Sequence, residues 1–332
     1  MQEYKTDERA QALQNWVSGV LPDVHFQITP LAGDASFRRY FRVLTDKESF
    51  VAMDAPPSHE DCKPFVAIDQ ALLKTDVRAP IIFAKNLTLG FLLLSDFGDT
   101  QLQSVLDDQN AEHSYHLAMQ DLLNIQTCSH VENYNLPNFD ENLYWKEFEI
   151  FSTWYLQKNH NLTIAAQTEF MLKNTYQLLI NSANSQPQVF VHRDYHSRNL
   201  MCCADGKLGI LDFQDAVMGP ITYDLVSLLK DCYVAWPKKL VESCVALFYE
   251  ALLKRNKINF IAFNDFLKYF NLMGLQRHIK CLGIFSRLAY RDNKQNYLKE
   301  IPRVLNYVIE TCEQYPEYLD LKNFLLSIEK NK

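Results

Sequence analysis

The chain has 332 residues, of which 48% are hydrophobic, and a formal net charge of −7 at pH 7. This length exceeds the usual size of one domain, so we expect two folded parts with a site between them, and the apolar content is enough for a large core. Scattered basic residues on an acidic chain argue against a nucleic-acid partner. No apolar run is long enough to cross a membrane, and the charged N-terminus does not resemble a signal sequence, so we expect a cytoplasmic protein.

The cysteines predict neither a zinc site nor a redox centre. Eight are present, scattered along the chain, without the paired Cys-x-x-Cys spacing of those sites. Free cysteine behaves as a small apolar residue. We therefore expect reduced thiols that pack in a core.

The first hundred residues predict a small part built mainly of antiparallel strands. Apolar residues at helical spacing predict helices over 7–20 and 63–75. Short β-rich runs between turn residues predict strands, with a hairpin turn at 45–48 and another turn at Gly90. These strands are 24–31, 38–44, 49–53, 81–84 and 91–95.

The rest of the chain predicts a larger and mostly helical part. Several segments of helix length carry apolar residues at a helical period with polar interruptions. They are 111–127, 142–157, 167–181, 223–233, 238–254, 263–290 and 304–315.

A motif in this second part carries the chemistry. Phe190–Asn199 reads Phe-Val-His-Arg-Asp-Tyr-His-Ser-Arg-Asn, and Ile210–Phe213 follows as Ile-Leu-Asp-Phe. An acid, an amide and a second acid at this spacing are typical of phosphoryl transfer from ATP. Between them, 200–203 and 207–211 read as two short strands around an Ala-Asp-Gly turn, and such a hairpin would return the second acid towards the amide.

Each polar residue of the motif has a chemical role that suits it. Asp194 suits the base that orients an attacking hydroxyl and accepts its proton. Asn199 and Asp212 offer the amide and carboxylate oxygens that Mg²⁺ prefers. We expect His192 to pack and hold the loop rather than to act as a base.

These residues resemble the aminoglycoside phosphotransferase and choline kinase-like family, relatives of protein kinases that phosphorylate small molecules. Three further blocks, 34–42, 219–225 and 276–280, resemble within it the anomeric sugar kinases of bacterial cell-wall recycling, which act on N-acetylmuramate and N-acetylglucosamine. The resemblance implies an α+β, bilobal protein kinase-like fold. It also implies an N-terminal ATP-binding lobe over 1–95, a hinge over 96–100 and a C-terminal catalytic and acceptor-binding lobe over 101–332.

The same resemblance implies where a nucleotide binds. Backbone groups near Ser95, Asp96 and Phe97, which follow the strand 91–95, would pair with adenine. The phosphate-covering loop would be 33–36, which has one glycine where protein kinases have three, with backbone N–H groups and the Ser36 hydroxyl on the phosphates.

The third strand departs from the kinase pattern. Val51–Asp54 stands where kinases have Val-Ala-x-Lys, and it contains no lysine. A cation must still offset the phosphate charge. We hypothesise that Arg38, Arg39 or Arg42 on the adjacent strand supplies it, with Arg38 and Arg42 on one face of the strand.

The segment after the second acid predicts the kind of acceptor. Eleven residues separate Asp212 from Asp224, and no Ala-Pro-Glu follows, so a protein kinase activation segment does not fit. A small-molecule acceptor is favoured. We expect Asp224 to cap a helix or to buttress the catalytic loop.

The acceptor residues are predicted from their nearness to the motif and from charge. A lactyl carboxylate on the acceptor would suit a guanidinium, and Arg277 offers one on a predicted helix. Clustered carboxylates would instead favour an aminoglycoside, although two acids suit the hydroxyls of a neutral sugar equally well. The candidates are His196, Arg198, Gln214, Asp215, Asp231 and Arg277.

The sequence thus predicts an ATP- and Mg²⁺-dependent kinase that phosphorylates a sugar hydroxyl, with the anomeric hydroxyl of N-acetylmuramate or N-acetylglucosamine as the expected acceptor. An aminoglycoside, choline or homoserine-type kinase remains an alternative with the same machinery. A kinase-like binding module without catalysis is a third hypothesis, because the lysine of the third strand is missing. We expect a sugar and a nucleotide as partners, and no nucleic acid, membrane or obligate protein partner.

Overall fold

A computed structural model describes residues 7–31 and 37–330. The chain divides into two compact units. The first contains the described residues up to Thr100, together with Val131–Asn135 and Met201–Gln214. The second contains Gln101–His130, Leu136–Leu200 and the described residues from Asp215 onward. The domain limits expected at residues 95 and 100 stay a prediction.

The elements of the described residues are numbered in chain order. The helices are α1 (Glu8–Val20), α2 (Cys62–Leu72), α3 (Leu102–Val105), α4 (Ala111–Ile125), α5 (Glu141–Ile150), α6 (Ala166–Asn184), α7 (Tyr223–Leu229), α8 (Lys238–Lys254), α9 (Phe263–Tyr290), α10 (Ile301–Gln314) and α11 (Leu319–Lys330). The strands are β1 (Phe26–Pro30), β2 (Arg39–Thr45), β3 (Ser49–Asp54), β4 (Ile82–Asn86), β5 (Phe91–Ser95), β6 (Gln188–Val191), β7 (Leu200–Cys202), β8 (Leu208–Ile210) and β9 (Val217–Pro220).

The first unit contains a five-stranded antiparallel sheet in the order β1-β2-β3-β5-β4. The predicted turn between β2 and β3 forms because the Thr45 hydroxyl accepts hydrogen bonds from the backbone N–H groups of Lys47 and Glu48. Helix α1 begins after Asp7, whose carboxylate caps it by accepting the Ala10 N–H at 3.0 Å. The core of this part is formed by Leu13, Val17, Val43, Phe50, Ala52, Phe91 and Leu93.

The end of β3 carries a buried carboxylate where kinases carry their lysine. Asp54 is fully buried and accepts hydrogen bonds from Arg9 Nε of α1 at 2.9 Å and from Arg39 Nε of β2 at 3.0 Å. A buried carboxylate is stable only when paired in this way. Asp54 therefore ties α1 to the sheet, and its guanidinium partners are engaged in that task.

The predicted hairpin over 200–211 is confirmed as β7 and β8, which pair with each other. Arg78 of the same unit stabilises the turn, since its guanidinium donates to the carboxylate of Asp205 at 2.9 and 2.5 Å. The Ile210 N–H also donates to the Arg78 carbonyl at 2.9 Å. The hairpin that precedes Asp212 is thereby fixed within the first unit.

The second unit is built around α9. This helix buries residues along most of its length and contacts α5, α6, α7, α8 and α10. A helix that is apolar on several sides belongs in a core, and this one forms the centre of the unit. The short strands β6 and β9 pair antiparallel and bring residues 191 and 217 side by side.

Two predicted helices end earlier than expected for physical reasons. The helix predicted over 223–233 ends at Leu229. Asp231 lies outside the helix, and its carboxylate accepts a hydrogen bond from the Tyr233 N–H at 2.8 Å. The helix predicted over 142–157 is α-helical only to Ile150 and continues as a π-helix over Phe151–Asn159. Short elements without strong periodicity, namely α3, β6 and β9, were not predicted, and neither was α11.

Other boundaries agree with the sequence analysis. The predicted segments 91–95, 238–254 and 263–290 match β5, α8 and α9. Within the described part of the chain, no helix has both the length and the apolar character that crossing a bilayer requires.

Candidate active site

The catalytic-loop segment, His192–Asn199, follows β6 in the second unit. Asp224, in the first turn of α7, accepts the backbone N–H groups of His192 at 2.6 Å and Arg193 at 3.0 Å. Arg193 has φ +77°, a left-handed conformation that is rare for a residue with a side chain and needs such support. Asp224 is thus the predicted buttress of this loop.

His192 also holds the loop. It is fully buried, its Nδ1 accepts the Asp194 N–H at 3.3 Å, and its ring lies against the ring of Tyr195. A buried ring that is engaged with its own loop is in no position to exchange protons with a substrate. The expected structural role of His192 fits this geometry.

A second buried acid holds the other end of the loop. Asp231 accepts the backbone N–H of Ser197 at 3.0 Å and the Ser197 hydroxyl at 2.5 Å. It is 1% exposed and does not line the cavity beside Asp194. Arg198 points to Tyr233, with its guanidinium carbon 3.6 Å from the ring centre, and donates to Gln103 Oε1 at 2.8 Å. Neither Asp231 nor Arg198 lines that cavity, and their predicted roles in acceptor binding stay predictions.

Asn199 is oriented by the loop itself. Its Nδ2 donates to the backbone carbonyl of Asp194 at 2.9 Å. This bond turns the amide oxygen away from that carbonyl. An amide fixed in this way is suited to present oxygen to a hard cation.

Asp194 lies among positive charges. Burial alone would raise its pKa, but the charges of Lys280, His196 and Arg277 outweigh burial and lower the pKa to about 2. The carboxylate is therefore ionised throughout the physiological range. It can accept a hydrogen bond from a hydroxyl at any such pH.

A cavity of about 390 Å³ opens beside Asp194 within the second unit. His196 and Asp215 from the sequence prediction line it, as does Arg277. Five cationic and three acidic side chains face it in all. The cations are Lys146, Arg193, Arg277, Lys280 and Arg287, and the acids are Glu147, Asp194 and Asp215.

Glu147 organises the cations nearest Asp194. It is 2% exposed, and its carboxylate lies 3.0 Å from Arg193 Nη2 and 2.9 Å from Lys280 Nζ. Gln276 donates to its other oxygen at 2.8 Å. Burial opposes the charge of Glu147, but Lys280 and Arg193 outweigh burial and lower its pKa.

Arg277 is buried and held by uncharged groups. Its Nη2 donates to the Ser227 hydroxyl at 2.5 Å, and its Nη1 lies 3.1 Å from the Cys281 sulfur. The Cys232 thiol, which also lines the cavity, lowers the pKa of Cys281 through a hydrogen bond, and the Arg277 charge adds to this effect. The positive charge of Arg277 thus remains directed towards the cavity and Asp194.

In the first unit, the three candidate arginines have different partners. Arg39 is engaged by Asp54 and Asp7. Arg42 forms ion pairs with Asp96 at 2.6 Å and with Asp99 at 2.8 Å. Asp96 also accepts the Gly98 N–H at 2.9 Å, so Arg42 fixes the residues that follow β5.

Arg38 belongs to a different cluster, which includes the second acid of the motif. Its Nη2 lies 2.9 Å from a Glu60 oxygen just before α2. Burial raises the pKa of Tyr40 to about 12, the Arg38 charge opposes this rise and the Asp212 charge adds to it. We call Arg38, Tyr40, Glu60 and Asp212 the Arg38 cluster.

Asp212 is held in an unusual conformation. Its φ is +64°, and its carboxylate accepts a hydrogen bond from Gln214 Nε2 at 2.8 Å. The next residue, Phe213, packs on Phe65 of α2 with ring centres 4.9 Å apart. Backbone strain of this kind is common at functional sites. In the described structure, the Gln214 side chain therefore hydrogen-bonds to the Asp212 carboxylate.

The predicted adenine residues have clear local contacts in the first unit. The Ser95 hydroxyl accepts the Ile81 N–H at 3.0 Å and so closes the end of the sheet. Phe97 covers Gly209 of β8, because a Cβ at that glycine would lie 2.4 Å from Phe97 Cδ2. Ser36 and the rest of the predicted phosphate loop, 33–36, lie outside the described residues.

The donor set suits magnesium better than a transition metal. In the described ranges 7–31 and 37–330, no group of three or more His, Cys, Asp or Glu side chains could hold a metal ion. Mg²⁺ does not need such a cage, because it is usually held by one or two protein oxygens together with substrate phosphates. The Asn199 amide and the Asp212 carboxylate are oxygen donors of that kind.

Sequence reasoning missed Glu147, Lys280 and Arg287 as site residues. Glu147 lies inside an apolar helix pattern, where an isolated acid is a signal of a buried ion pair. Lys280 and Arg287 lie at the i+3 and i+10 positions from Arg277 on one helix. Residues at that spacing share a face, so Arg277 could have pointed to both.

A comparison with known families identifies the class of the protein. The model described as the phosphotransferase enzyme family matches residues 27–257. The chain belongs to this family, so it is an enzyme that transfers phosphate to a hydroxyl group, and as a kinase it uses a nucleotide.

Particular relatives match almost the whole chain. A Pseudomonas putida protein named N-acetylmuramate/N-acetylglucosamine kinase is 38% identical over 333 residues, which cover 97% of each chain. A Neisseria meningitidis protein of the same name is 35% identical over 326 residues, covering 97% of this chain and 96% of the relative. The resemblance noted from the motif is confirmed.

Solved structures support the fold. An ADP-bound aminoglycoside phosphotransferase aligns with a TM-score of 0.60 at 11% identity, covering 90% of this chain and 98% of the other. A choline kinase from Cryptosporidium parvum aligns with a TM-score of 0.63 at 11% identity, covering 92% and 97%. The predicted α+β, protein kinase-like fold is confirmed.

Proposed function

We propose that the protein transfers the γ-phosphate of ATP to the anomeric hydroxyl of N-acetylmuramate and N-acetylglucosamine. The relatives that match nearly its full length carry that name. A role in cell-wall recycling follows from these substrates. Such a reaction belongs in the cytoplasm, where ATP is available.

The charge of the cavity beside Asp194 is the observation that carries this proposal. Its five cations outnumber its three acids, so it favours an acceptor with a carboxylate. N-acetylmuramate has one. An aminoglycoside or choline is positively charged and would be repelled by the same side chains.

Asp194 is the proposed base. With a pKa of about 2 it is a weak base that stays ionised, so its first task is to orient the acceptor hydroxyl. The anomeric hydroxyl is the most acidic of a sugar, because the ring oxygen withdraws electrons. A weakly basic carboxylate can therefore accept its proton as the bond to phosphorus forms.

Arg38 is the proposed substitute for the missing lysine. Its neighbours in the Arg38 cluster include Asp212, the proposed metal ligand, whereas Arg39 is engaged by Asp54. Its ion pair with Glu60, next to α2, resembles the lysine–glutamate pair of protein kinases. We propose that Arg38 contacts the phosphates and that Arg42 acts by fixing Asp96.

The remaining nucleotide contacts are proposed from the sequence. Asn199 and Asp212 would hold Mg²⁺, which when bound neutralises charge on the phosphates. Backbone groups of Ser95–Phe97 would bind adenine, and Ser36 would contribute to the phosphate loop. Lobes at 1–95 and 101–332 with a hinge at 96–100 complete this proposal.

Coupled ADP release with a panel of acceptors tests the function. The panel contains N-acetylmuramate, N-acetylglucosamine, kanamycin, choline and homoserine, each with wild-type protein and with Asp194→Asn. We expect turnover only with the two amino sugars and a loss of roughly 100- to 10,000-fold in the variant.

Other outcomes would replace the proposal. Turnover confined to kanamycin, choline or homoserine would assign the cavity to that acceptor. The absence of ADP release with every acceptor would favour a non-catalytic binding module. An Asp194→Asn variant as active as wild type would remove Asp194 from the reaction.

A further inference from the structure

Arg287 of α9 lines the cavity beside Asp194, and its charge is only partly offset by the neighbouring Asp292. Its Nε is buried and has no hydrogen-bond partner, and among the described residues no carboxylate forms an ion pair with its guanidinium. Burial and the neighbouring Arg291 lower the pKa of Arg287, and the charge of Asp292, which pairs with Arg291, opposes them only in part. Holding such a charge is unfavourable unless an anion compensates it.

The other cations of the cavity are already engaged. Arg193 and Lys280 share the carboxylate of Glu147, and Arg277 donates to Ser227. Lys146 is exposed to solvent, where water screens its charge. Of the guanidinium groups that line the cavity, Arg287 is the one without a polar partner in the described part of the chain.

The position of Arg287 on α9 separates it from Lys280, which marks the part of the cavity beside Asp194. Lys280 lies close enough to Asp194 to influence its charge, and Arg287 is seven residues further along the same face. Seven residues span roughly 10 Å of helix axis. Because helical side chains tilt towards the N-terminus, the Arg287 guanidinium leans back towards Lys280.

This spacing suits a substituent of the sugar ring rather than the reacting hydroxyl. The lactyl ether of N-acetylmuramate is attached at C3, two carbons around the ring from the anomeric carbon, and extends its carboxylate away from C1. A planar guanidinium can bind both oxygens of such a carboxylate.

We propose that Arg287 binds the acceptor carboxylate and so sets the preference for N-acetylmuramate over N-acetylglucosamine. This inference rests on the proposed function, because it assigns a contact to the proposed acceptor. Arg287 lies two helical turns along α9 from Lys280, the residue of this helix whose charge acts on the proposed base Asp194. Its contact therefore contributes to binding and not to the chemical step.

Steady-state kinetics with three acceptors test the proposal. They are N-acetylmuramate, its methyl ester, which lacks the negative charge, and N-acetylglucosamine. For Arg287→Gln we expect the KM for N-acetylmuramate to rise roughly 10- to 100-fold with little change in kcat, since one charge-assisted contact is lost. The KM values for the ester and for N-acetylglucosamine should change less than about twofold.

Two further variants serve as controls. Arg287→Lys keeps the charge but not the two-oxygen contact, so it should restore only part of the affinity for N-acetylmuramate. Lys268→Gln removes another cation of α9, which pairs with Glu317 and lies outside the cavity, so it should leave all three KM values unchanged. Turnover of N-acetylglucosamine by each variant shows that the site is folded.

Each outcome has a distinct meaning. Equal losses with both sugars would assign Arg287 to the fold and overturn the inference. An unchanged KM for N-acetylmuramate would place its carboxylate elsewhere, with the same result. If the wild-type protein turned over neither sugar, the proposed function itself would be wrong, and so would the inference that rests on it.

Discussion

Neighbouring arginines at the start of β2 differ in what they bind. Arg39 completes the buried cluster around Asp54, whereas Arg38 pairs with Glu60 and lies near Asp212 and Tyr40. Strand alternation predicts that the two point to opposite faces. Hairpin register places Asp54 opposite Arg39, but alternation does not predict the neighbours of Arg38, because Glu60 and Asp212 lie outside the hairpin.

This difference leads to a prediction for ATP. Arg38→Ala should raise the KM for ATP roughly tenfold by removing a charge-assisted phosphate contact. Arg39→Ala is the matched control: it should leave that KM unchanged and lower the free energy of unfolding by about 1–3 kcal/mol, because Asp54 loses a partner. Kinetics and urea unfolding measure the two effects. An unchanged KM for ATP in Arg38→Ala would show that Arg38 does not substitute for the lysine.

Asp69 of α2 predicts an unusual dependence of stability on pH. It is 1% exposed, neither of its oxygens has a hydrogen-bond partner in the described part of the chain, and burial raises its pKa to about 7. The folded protein then keeps a proton that the unfolded chain releases near its ordinary pKa of 3.8. Stability is therefore lost as the pH rises from about 4 to about 7.

Asp69→Asn should remove this loss. Its stabilisation relative to wild type should grow by about 2–3 kcal/mol between pH 5 and pH 8. Urea unfolding at both pH values measures it, with the exposed Asp46→Asn as the control for a lost charge. A stabilisation of equal size at the two pH values would show that the Asp69 pKa is not raised.

At the scale of elements, two acids from helical segments shape the catalytic loop. Asp224 of α7 holds its beginning and Asp231, just after α7, holds Ser197. Both are buried, and both satisfy backbone N–H groups that would otherwise lack partners. The sequence indicated the first as a buttress of the loop, whereas the contact of the second with Ser197 was not foreseen, because it depends on tertiary packing.

The contact of α9 with the end of α5 is a backbone contact. A Cβ at Gly283 of α9 would lie 2.6 Å from the Phe151 nitrogen and 2.7 Å from the Ile150 carbonyl oxygen. These are the residues at which α5 becomes the π-helix. The absence of a side chain at Gly283 therefore allows the two helices to approach at this junction.

Gly283→Ala should destabilise the protein. Backbone atoms cannot yield as a flexible side chain can, so the added methyl group should lower the free energy of unfolding by about 1–3 kcal/mol. Gly274→Ala on the same helix is the matched control, since its Cβ would meet only ordinary contacts at 3.7 Å or more. The control should be neutral or stabilising by up to about 1 kcal/mol, because alanine favours helix. Equal effects in urea unfolding would contradict this account of the junction.

At the scale of the whole molecule, net charge and local charge differ in sign. The chain carries −7, yet the cavity beside Asp194 has more cations than acids. Composition argued against a nucleic-acid partner but could not reveal this cavity. Its cations come from α5, the catalytic loop and α9, which only folding brings together.

Activity of the whole enzyme should depend on Mg²⁺. Chelation with EDTA should abolish ADP release, and added Mg²⁺ should restore it. Asp212→Asn should lower kcat roughly 100-fold or more and raise the Mg²⁺ concentration required. Asp46→Asn, at an exposed position in the turn between β2 and β3, is the control for a lost charge and should change neither value. Full activity in EDTA, or in Asp212→Asn, would remove the metal from the proposal.

Long and periodic elements were predictable from the sequence. The limits of β5, α8 and α9 follow from apolar runs bounded by turn residues or polar residues. The hairpin of β7 and β8 follows from its Ala-Asp-Gly turn. The π-helix and the short strands β6 and β9 depend on contacts with distant segments, so local patterns do not contain them.

The sequence by itself determined the class of chemistry, because Asp194, Asn199 and Asp212 lie within one short motif whose spacing reflects phosphoryl transfer. It also indicated Asp224 and the absence of a lysine in β3. Only the tertiary structure decided which charges face the cavity beside Asp194. Glu147, Lys280 and Arg287 are far from the motif along the chain, and their roles arise from packing of helices that buries some charges together and leaves another facing a cavity.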